Sequence, residues 1–222
     1  MRRSRRSLDQ RLFDAAAQSI GDRSLGDRSR SVGTSAHALR TAARAISAGA
    51  VIAYPTEAVY GLGCDPRNAP AVRRILAIKG RDESKGLILI AANFYALEPF
   101  VEPLDADAMA AIQATWPGPN TWLLPARPET PRWLTGAHDT LAVRVTAHPV
   151  AAALCRTWGC IGGSGALVST SANLSSRPPV RTALGVRLQL GDAPSLLVSG
   201  PCGGADRPSV IRDGRSGHVL RG

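Results

Sequence analysis

Both lysines of this chain lie in one short segment. Lys79 and Lys85 flank Arg81, whereas every other basic residue among the 27 in the chain is an arginine. A lysine ammonium is a compact charge on a mobile stem, and an arginine guanidinium can grip two oxygens of one phosphate. The segment therefore predicts a cradle for a triphosphate. Two other interpretations stay open: chance clustering of two rare residues, or cations placed at a helix C-terminus because they favour the helix dipole.

Three further segments place small polar side chains where a predicted strand gives way to a loop. Thr56 follows the first such strand, and Thr121 follows the Pro- and Gly-rich turn at 116–119. In the third segment a buried strand runs directly into Ser169, Ser171 and Asn173. Ligands of layered α/β proteins tend to bind beyond strand ends, so these side chains are candidates for phosphate or carboxylate recognition. Turns and helix caps favour the same residue types, which is the alternative in each case.

Several common site types are missing from the sequence. It contains no G-x-x-x-x-G-K-[ST] and no G-x-S-x-G, which excludes a P-loop and makes a serine hydrolase a poor hypothesis. The four cysteines form no Cys-x-x-Cys pair, and the four histidines are scattered. No metal site made from protein side chains is therefore expected, and the cysteines are expected to be reduced.

Charge and hydropathy narrow the choice of partners and compartment. The net charge is +10, which suits an anionic partner such as a nucleotide or RNA. No stretch of about 18 apolar residues is present, and the Arg-rich start lacks the apolar region of a secretory signal. The sequence therefore predicts a cytoplasmic protein that does not contact a membrane.

The elements that must position these residues alternate between helix and strand from Ser35 onward. Such alternation predicts a layered α/β domain with a largely buried sheet. Ser35 and Asn68 are expected to cap the first two helices, and Gly49 and Gly80 to follow them. Further helices are predicted at 105–115, 149–158 and 182–190. Strands are predicted at 50–54, 87–91, 121–124, 141–145, 166–169, 196–199 and 210–212.

Residues 1–34 are predicted to be a separate basic extension without stable structure, ahead of one domain at 35–222. This segment is rich in Ser, Arg, Gly and Asp, and only 12–20 has a weakly helical pattern. A start codon placed too early is one alternative. An RNA-contacting arm is another, although the segment offers few aromatic residues for stacking.

The segments above, taken in order, resemble the threonylcarbamoyl-AMP synthases of the YrdC type, in their short bacterial single-domain form. The resemblance runs from about residue 35 to residue 222 and is specific because many motifs agree in sequence. Its motifs are residues 50–57, the Lys-x-Arg at Lys79 and Arg81, 85–90, 116–119, 131–136, 141–145, the Ser-x-Asn at Ser171 and Asn173, and 208–213.

The resemblance implies both a fold and a reaction. The fold is a single α/β domain of the α+β type, with a mixed, twisted open sheet curled around a concave basic cavity and helices packed on the sheet. The reaction converts L-threonine, bicarbonate or CO2, and ATP accompanied by Mg2+ into L-threonylcarbamoyladenylate and pyrophosphate. A downstream transferase complex would then place the threonylcarbamoyl group on tRNA next to the anticodon.

Site residues follow from the resemblance position by position. Lys79, Arg81, Ser171 and Asn173 should line the nucleotide site, with Lys79 and Arg81 stabilising charge. Thr56, Thr121 and Arg144 should line the same cavity, and Ser169 and Ser209 are further contacts. Attack on the α-phosphorus needs positioning and charge stabilisation but no protein nucleophile, so no acid or base is assigned.

Three departures from the family pattern matter. A longer branch of the family often has a His where this chain has Ile90, so no threonine contact is expected from that position. That branch also carries a second C-terminal domain, for which this chain has no room. Residues 160–165 look like an insertion before the Ser-x-Asn strand, and we expect it to loop outward.

Two rival functions remain at this stage. An RNA-binding module without adenylation activity would bind tRNA or double-stranded RNA with a steep salt dependence; the low aromatic content and the lack of an RNA-binding motif argue against it as the primary role. A carbamoyl-transfer module like that of hydrogenase-maturation proteins would need zinc-finger and acyl-transfer domains, which this sequence lacks.

Overall fold

The computed structural model describes residues 30–175 and 177–221. Within them the six α-helices are α1 Ala36–Ser47, α2 Ala69–Lys79, α3 Ala106–Gln113, α4 Arg132–Thr135, α5 Pro149–Cys160 and α6 Ala183–Leu190. The strands are β1 Arg30–Val32, β2 Ile52–Pro55, β3 Tyr60–Gly63, β4 Ile88–Ala91, β5 Asn120–Pro125, β6 Thr140–Val145, β7 Ala166–Ser171, β8 Leu196–Val198, β9 Val210–Asp213 and β10 Val219–Arg221.

The described strands form one open, mixed sheet in the order β1-β8-β2-β3-β7-β4-β6-β5-β9-β10. The pairs β1–β8, β2–β8, β4–β6 and β5–β9 are parallel, and the other neighbours are antiparallel. The predicted mixed sheet with packed helices is thereby confirmed. Strands β3 and β7 lie at the centre, although they are far apart in sequence, and the polar end of β7 is therefore enclosed by neighbouring strands.

Local sequence explains where the first two helices begin. The Ser35 hydroxyl accepts a hydrogen bond from the Ala38 amide at 3.2 Å, and the Asn68 side chain accepts one from the Ala71 amide at 3.0 Å. Each cap satisfies an amide that has no partner inside the helix. At the end of α2, Gly80 adopts a left-handed conformation with φ 55°, as predicted. This turn leaves Lys79 as the last residue of the helix, facing the sheet.

Both faces of the central strands are covered by apolar side chains. Along β4, Leu89 joins a cluster that includes Val72 and Ile75 of α2, whereas Ile90 joins a second cluster with Leu39 of α1 and residues of α5. Successive side chains of a strand point to opposite faces, so the two clusters lie on opposite sides of the sheet. Burial on both sides explains why the strand sequences are continuous apolar runs without clean alternation.

The structure corrects the predicted boundary of the N-terminal extension. Arg30–Val32 form β1 and pair in parallel with Leu196–Val198, so these three residues belong to the sheet and not to the extension predicted for 1–34. The weakly helical pattern at 12–20 lies outside the described residues. No helix in the described part of the chain is long and apolar enough to cross a bilayer.

Candidate functional site

A cavity of about 600 Å³ opens on one face of the central strands. Its floor is formed by residues from several strands of the sheet, including Gly61 of β3, Ile88 of β4 and Ala142 of β6. Eight of the nine predicted site residues line it: Thr56, Lys79, Arg81, Arg144, Ser169, Ser171, Asn173 and Ser209. Residues that are distant in sequence thus line the same cavity, which is large enough for a nucleotide.

Four oxygen atoms surround the Lys79 ammonium. Its Nζ donates to the carbonyl oxygens of Ser171 at 2.6 Å and Asn173 at 2.9 Å. The Ser171 hydroxyl and the Asn173 amide oxygen lie 3.3 and 3.2 Å away. Burial, followed by the charge of Arg81, lowers the pKa of Lys79 to about 8. A nearly buried cation is therefore held where the end of α2 meets the end of β7.

Arg81 is fixed by the loop that follows α2. Its guanidinium donates to the carbonyl oxygen of Gly86 at 2.9 Å. Burial, and then the charge of Arg221, lowers the pKa of Arg81. Gly86 has φ 62°, and a Cβ there would lie 2.9 Å from the Thr135 carbonyl oxygen. The loop can carry Arg81 and Lys85 to the cavity because glycine permits this close approach.

Arg144 enters the cavity from β6 and is held by Glu57. Its Nη1 atom lies 2.6 Å from Oε2 of Glu57, and both side chains are largely buried. The other carboxylate oxygen accepts from the Thr146 hydroxyl at 2.7 Å and from the Ala147 amide at 3.0 Å. Burial would raise the pKa of Glu57, but the charge of Arg144 and the hydrogen bond from Thr146 outweigh it, so the pKa is lowered. The pair is therefore ionised at neutral pH.

Thr121 is the one predicted site residue that does not line the cavity. It is completely buried, and its hydroxyl donates to the Ser209 hydroxyl at 2.8 Å. Ser209 precedes β9, which pairs in parallel with β5, and this pairing places Ser209 over Thr121. Thr121 can therefore orient Ser209, whereas Ser209 is the residue that faces the cavity.

Two residues with side-chain hydroxyls, Thr56 and Ser169, lie at the β2–β3 hairpin. The Thr56 hydroxyl donates to the Val59 carbonyl at 2.6 Å, within its own turn. Ser169 of β7 lines the cavity next to Gly61, where a Cβ would lie 3.5 Å from the Ser169 hydroxyl. A side chain at this position would reduce access to the floor of the cavity.

Several residues that line the cavity were not among the site residues predicted from the sequence. They include Glu57, His138, Arg207 and Arg221. Arg207 and Arg221 lie close to the C-terminus and reach the cavity only because β9 and β10 return to it, and their local sequence gives no sign of this. Glu57 could have been predicted as a site residue because it follows Thr56 directly. A single acidic residue in a site whose other predicted charges are positive indicates an ion pair.

Two of the departures from the family pattern, Ile90 and the insertion at 160–165, lie within the described residues. Ile90 is fully buried in the second apolar cluster and does not line the cavity. Residues 161–165 form a turn after α5, and β7 begins directly afterwards at Ala166, paired with Ala91. The extra residues therefore leave the Ser-x-Asn strand intact.

The charge of the lining residues determines what this site can bind. In the part of the chain that the structure describes, the lining cations are Lys79, Arg81, Lys85, Arg144, Arg207 and Arg221, and the one lining acid, Glu57, is already paired. Among the described residues no group of three or more His, Cys, Asp or Glu could hold a metal ion. Such a cavity favours a strongly anionic ligand and can stabilise negative charge that builds up on it.

Comparison with known proteins gives concordant results. The family model Sua5/YciO/YrdC, described as telomere recombination, matches residues 44–222. A protein of Halorhodospira halophila (strain DSM 244 / SL1) named threonylcarbamoyl-AMP synthase is 58% identical over 189 residues, 85% of this chain and 96% of that relative. A protein of the same name from Nitrosococcus oceani is 56% identical over 183 residues, 82% of this chain and 96% of that relative.

A solved structure provides the third comparison. P. abyssi Sua5 complexed with L-threonine aligns with a TM-score of 0.75 at 32% identity. The alignment covers 83% of this chain and 53% of that chain, so the present chain spans about half the length of the P. abyssi protein.

Proposed function

Because this chain belongs to the Sua5/YciO/YrdC family, we propose that its reaction is the synthesis of L-threonylcarbamoyladenylate from L-threonine, bicarbonate and ATP, with release of pyrophosphate. Relatives that are 48–58% identical over more than four fifths of the chain carry the name of this enzyme. The adenylate supplies threonylcarbamoyl for tRNA modification.

The observation that carries the proposal is the buried ammonium of Lys79 beside Arg81. Lys79 is held by four oxygens of Ser171 and Asn173, and Arg81 by a main-chain carbonyl of the adjoining loop. Protein groups alone hold both cations in position, so little reorganisation is needed when charge develops on phosphate oxygens. A preorganised pair of cations of this kind suits the transfer of a nucleotidyl group from ATP.

In the proposed reaction the threonine amine first combines with bicarbonate to give a carbamate and water. A carbamate oxygen then attacks the α-phosphorus of ATP, and the bond to the β-phosphate breaks to release pyrophosphate. Lys79 and Arg81 stabilise the charge on the phosphate oxygens. Arg144, whose orientation Glu57 fixes, binds the threonine carboxylate, and the hydroxyls of Ser169 and Ser209 supply further polar contacts.

Mg2+ belongs to the substrate in this scheme. Among the described residues that line the cavity, none offers an unpaired carboxylate, since Glu57 is engaged by Arg144. The residues present therefore suit a metal ion that arrives bound to the phosphate oxygens of ATP and neutralises part of their charge.

The proposed partners extend beyond the substrates. Bicarbonate, a downstream transferase complex that consumes the adenylate, and a cytoplasmic site of action belong to the proposal because the reaction requires them. Binding of tRNA or double-stranded RNA remains a prediction from the net charge of +10.

The experiment measures pyrophosphate release by the purified protein with ATP and Mg2+, with L-threonine and bicarbonate each supplied or omitted. Mass spectrometry identifies the adenylate. Release that needs both threonine and bicarbonate supports the proposal, and release independent of threonine contradicts it. A Lys79→Gln variant, expected to be inactive, and an Arg73→Gln variant on the exposed side of the same helix, expected to be active, exclude a contaminating activity.

A further inference from the structure

His148 connects helix α5 to the loop between β8 and β9 at a point outside the cavity. Its side chain is 3% exposed and does not line the cavity. Its Nδ1 atom accepts a hydrogen bond from the Ala151 amide at 3.4 Å and thereby caps α5. Its Nε2 atom lies 3.1 Å from the carbonyl oxygen of Pro201, which belongs to the β8–β9 loop, residues 199–209. One imidazole ring therefore contacts both the start of the helix and the loop.

These two contacts require a neutral imidazole with its proton on Nε2. A carbonyl oxygen can only accept a hydrogen bond, so Nε2 must donate to Pro201. A main-chain amide can only donate, so Nδ1 must be unprotonated to accept from Ala151. A second proton, on Nδ1, would place two donors against each other and leave the Ala151 amide without its acceptor. The hydrogen bonds of His148 are therefore complete in one protonation state only.

The β8–β9 loop packs on the β2–β3 turn before it enters the cavity. The Tyr60 hydroxyl donates to the Gly200 carbonyl at 2.5 Å and accepts from the Gly200 amide at 3.0 Å. Farther along, the amides of Gly203 and Ala205 donate to two carbonyl oxygens of the turn, each at 3.0 Å. Directly after these anchors, residues 207–209 line the cavity. The wall of the cavity on this side therefore depends on how the loop is held.

Gly203 shows how closely the loop approaches both the turn and the imidazole. A Cβ at this position would lie 3.1 Å from the Glu57 carbonyl oxygen and 3.4 Å from Cδ2 of His148. The loop is therefore in contact with the turn and with His148 at the same residue. A change at the imidazole acts directly on the part of the loop that the turn anchors.

The groups around His148 determine which of them titrates near neutral pH. Burial lowers the pKa of His148 and the charge of Arg144 acts in the same direction, whereas the hydrogen bond to Pro201 and the charge of Glu57 oppose them. Burial alone would raise the pKa of Glu57, but Arg144 lowers it, so this carboxylate stays ionised. On the loop, burial raises the pKa of the Cys202 thiol, which stays neutral. Of these groups, His148 is the one whose charge changes as the pH falls from about 8 to about 5.

We propose that His148 is a positioning residue, which holds the β8–β9 loop against the β2–β3 turn while it is neutral and releases the loop when it is protonated. The inference rests on the proposed function where it takes ATP as the ligand that contacts residues 207–209. An opened loop exposes the imidazole to water, where its pKa is about 6.5. The closed loop is thus fully favoured above this pH and loses stability as the pH falls below it. At about pH 5 protonation favours opening by about tenfold.

The test follows the loop by amide hydrogen exchange, which needs no turnover. The amides of Gly203 and Ala205 are compared at about pH 8 and about pH 5, with intrinsic exchange rates divided out and the amides of β4 as an internal reference. In wild type their protection should fall by about tenfold at the lower pH, while β4 keeps its protection. In His148→Gln, whose amide can still donate to Pro201 but does not titrate, protection should be equal at both pH values.

His148→Asn separates the helix cap from the loop contact. The shorter side chain still offers an oxygen to the Ala151 amide, since Asn is a favoured capping residue, but it does not reach Pro201. Protection of the loop should therefore be lower by about fivefold already at pH 8, the effect of one lost hydrogen bond, and should not change with pH. His37→Gln is the matched control, because His37 is exposed on α1 and its removal takes away one imidazole without touching the loop.

ATP connects the loop to the cavity in a second arm of the test. If ATP binds only the closed loop, ATP at about 100 times its Kd should raise the protection of Gly203 and Ala205 by about a hundredfold at the lower pH. Wild-type protection that is equal at both pH values would overturn the proposal, and so would an equal loss in His148→Gln. A loop that ATP leaves unprotected would overturn its connection to the cavity. Failure of the proposed reaction would appear separately, as wild type whose loop ATP protects but which releases no pyrophosphate.

Discussion

Glu57 Oε2 lies 2.6 Å from Nη1 of Arg144, and this ion pair connects the β2–β3 turn to strand β6. Glu57 also accepts hydrogen bonds from Thr146 and Ala147, directly after β6. One carboxylate therefore orients the arginine and anchors the backbone that follows the strand. This arrangement predicts that removing the negative charge affects both substrate binding and stability.

The first prediction concerns Glu57→Gln. The neutral amide leaves Arg144 as a largely buried cation without its partner, which should destabilise the protein by about 3 kcal/mol. If Arg144 binds the threonine carboxylate, the KM for threonine should rise by about tenfold, whereas the KM for ATP should change little. Chemical denaturation measures the first effect and steady-state kinetics the second. Glu129→Gln, at an exposed position, is the control, and an unchanged KM for threonine would refute the positioning role.

Lys79→Arg keeps the charge but changes its shape. The planar fork of arginine cannot occupy the point where the ammonium meets four oxygens within 2.6–3.3 Å. We expect kcat/KM for adenylate synthesis to fall by about a hundredfold, the usual effect of losing one stabilising donor. Arg73→Lys on the exposed side of α2 is the reciprocal control. Near-normal turnover by Lys79→Arg would show that the clustering of both lysines in this segment is accidental.

The pKa of Lys79 predicts a pH dependence of ATP binding. Burial lowers this pKa to about 8, so the ammonium is charged at neutral pH and loses its proton as the pH rises through this value. ATP affinity of the free protein should therefore fall above pH 8. Binding measured without threonine avoids the separate titration of the substrate amine. An affinity that stays constant from pH 7 to about pH 9.5 would contradict the prediction.

Gly136 controls the loop that carries Arg81 and Lys85. It has φ 64°, and a Cβ there would overlap the Ser84 carbonyl oxygen. Gly136→Ala should destabilise the protein by about 3 kcal/mol and weaken ATP binding, because the loop must move. Gly162→Ala is the control, since Gly162 also has a positive φ but no atom within 4 Å of the added carbon. It should cost about 1 kcal/mol. Equal losses for both variants would show that the close approach is unimportant.

Local chemistry made much of the fold predictable. Ser35 and Asn68 cap α1 and α2 as expected, because capping depends on residues three positions apart. Strand β3 was missed since its sequence, Tyr-Gly-Leu-Gly, carries two glycines, which have low strand propensity. It is a strand because β2 and β7 pair with it on both sides, and Gly63 fits where a Cβ would lie 2.6 Å from a backbone oxygen of Val168.

The sequence could predict those residues of the candidate site that belong to motifs. It could not predict the positions that depend on which strands pair in the sheet. Lys79, Arg81, Ser171 and Asn173 line one cavity, and their contact with a nucleotide stays a prediction. Thr121 does not line this cavity, because the pairing of β9 with β5 covers it with Ser209. Whether an added strand covers a side chain depends on contacts between distant parts of the chain, which local patterns do not contain.

The strand order also has a kinetic consequence. The Tyr60 hydroxyl bonds a carbonyl 140 positions along the chain, and Lys79 bonds oxygens 92 and 94 positions away. Folding must therefore close long loops before these contacts form, and folding slows as the mean sequence separation of contacting residues increases. During synthesis on the ribosome, the cations of Lys79 and Arg81 emerge long before the strands that enclose them. The growing chain can acquire this cavity only after most of its sequence has been translated.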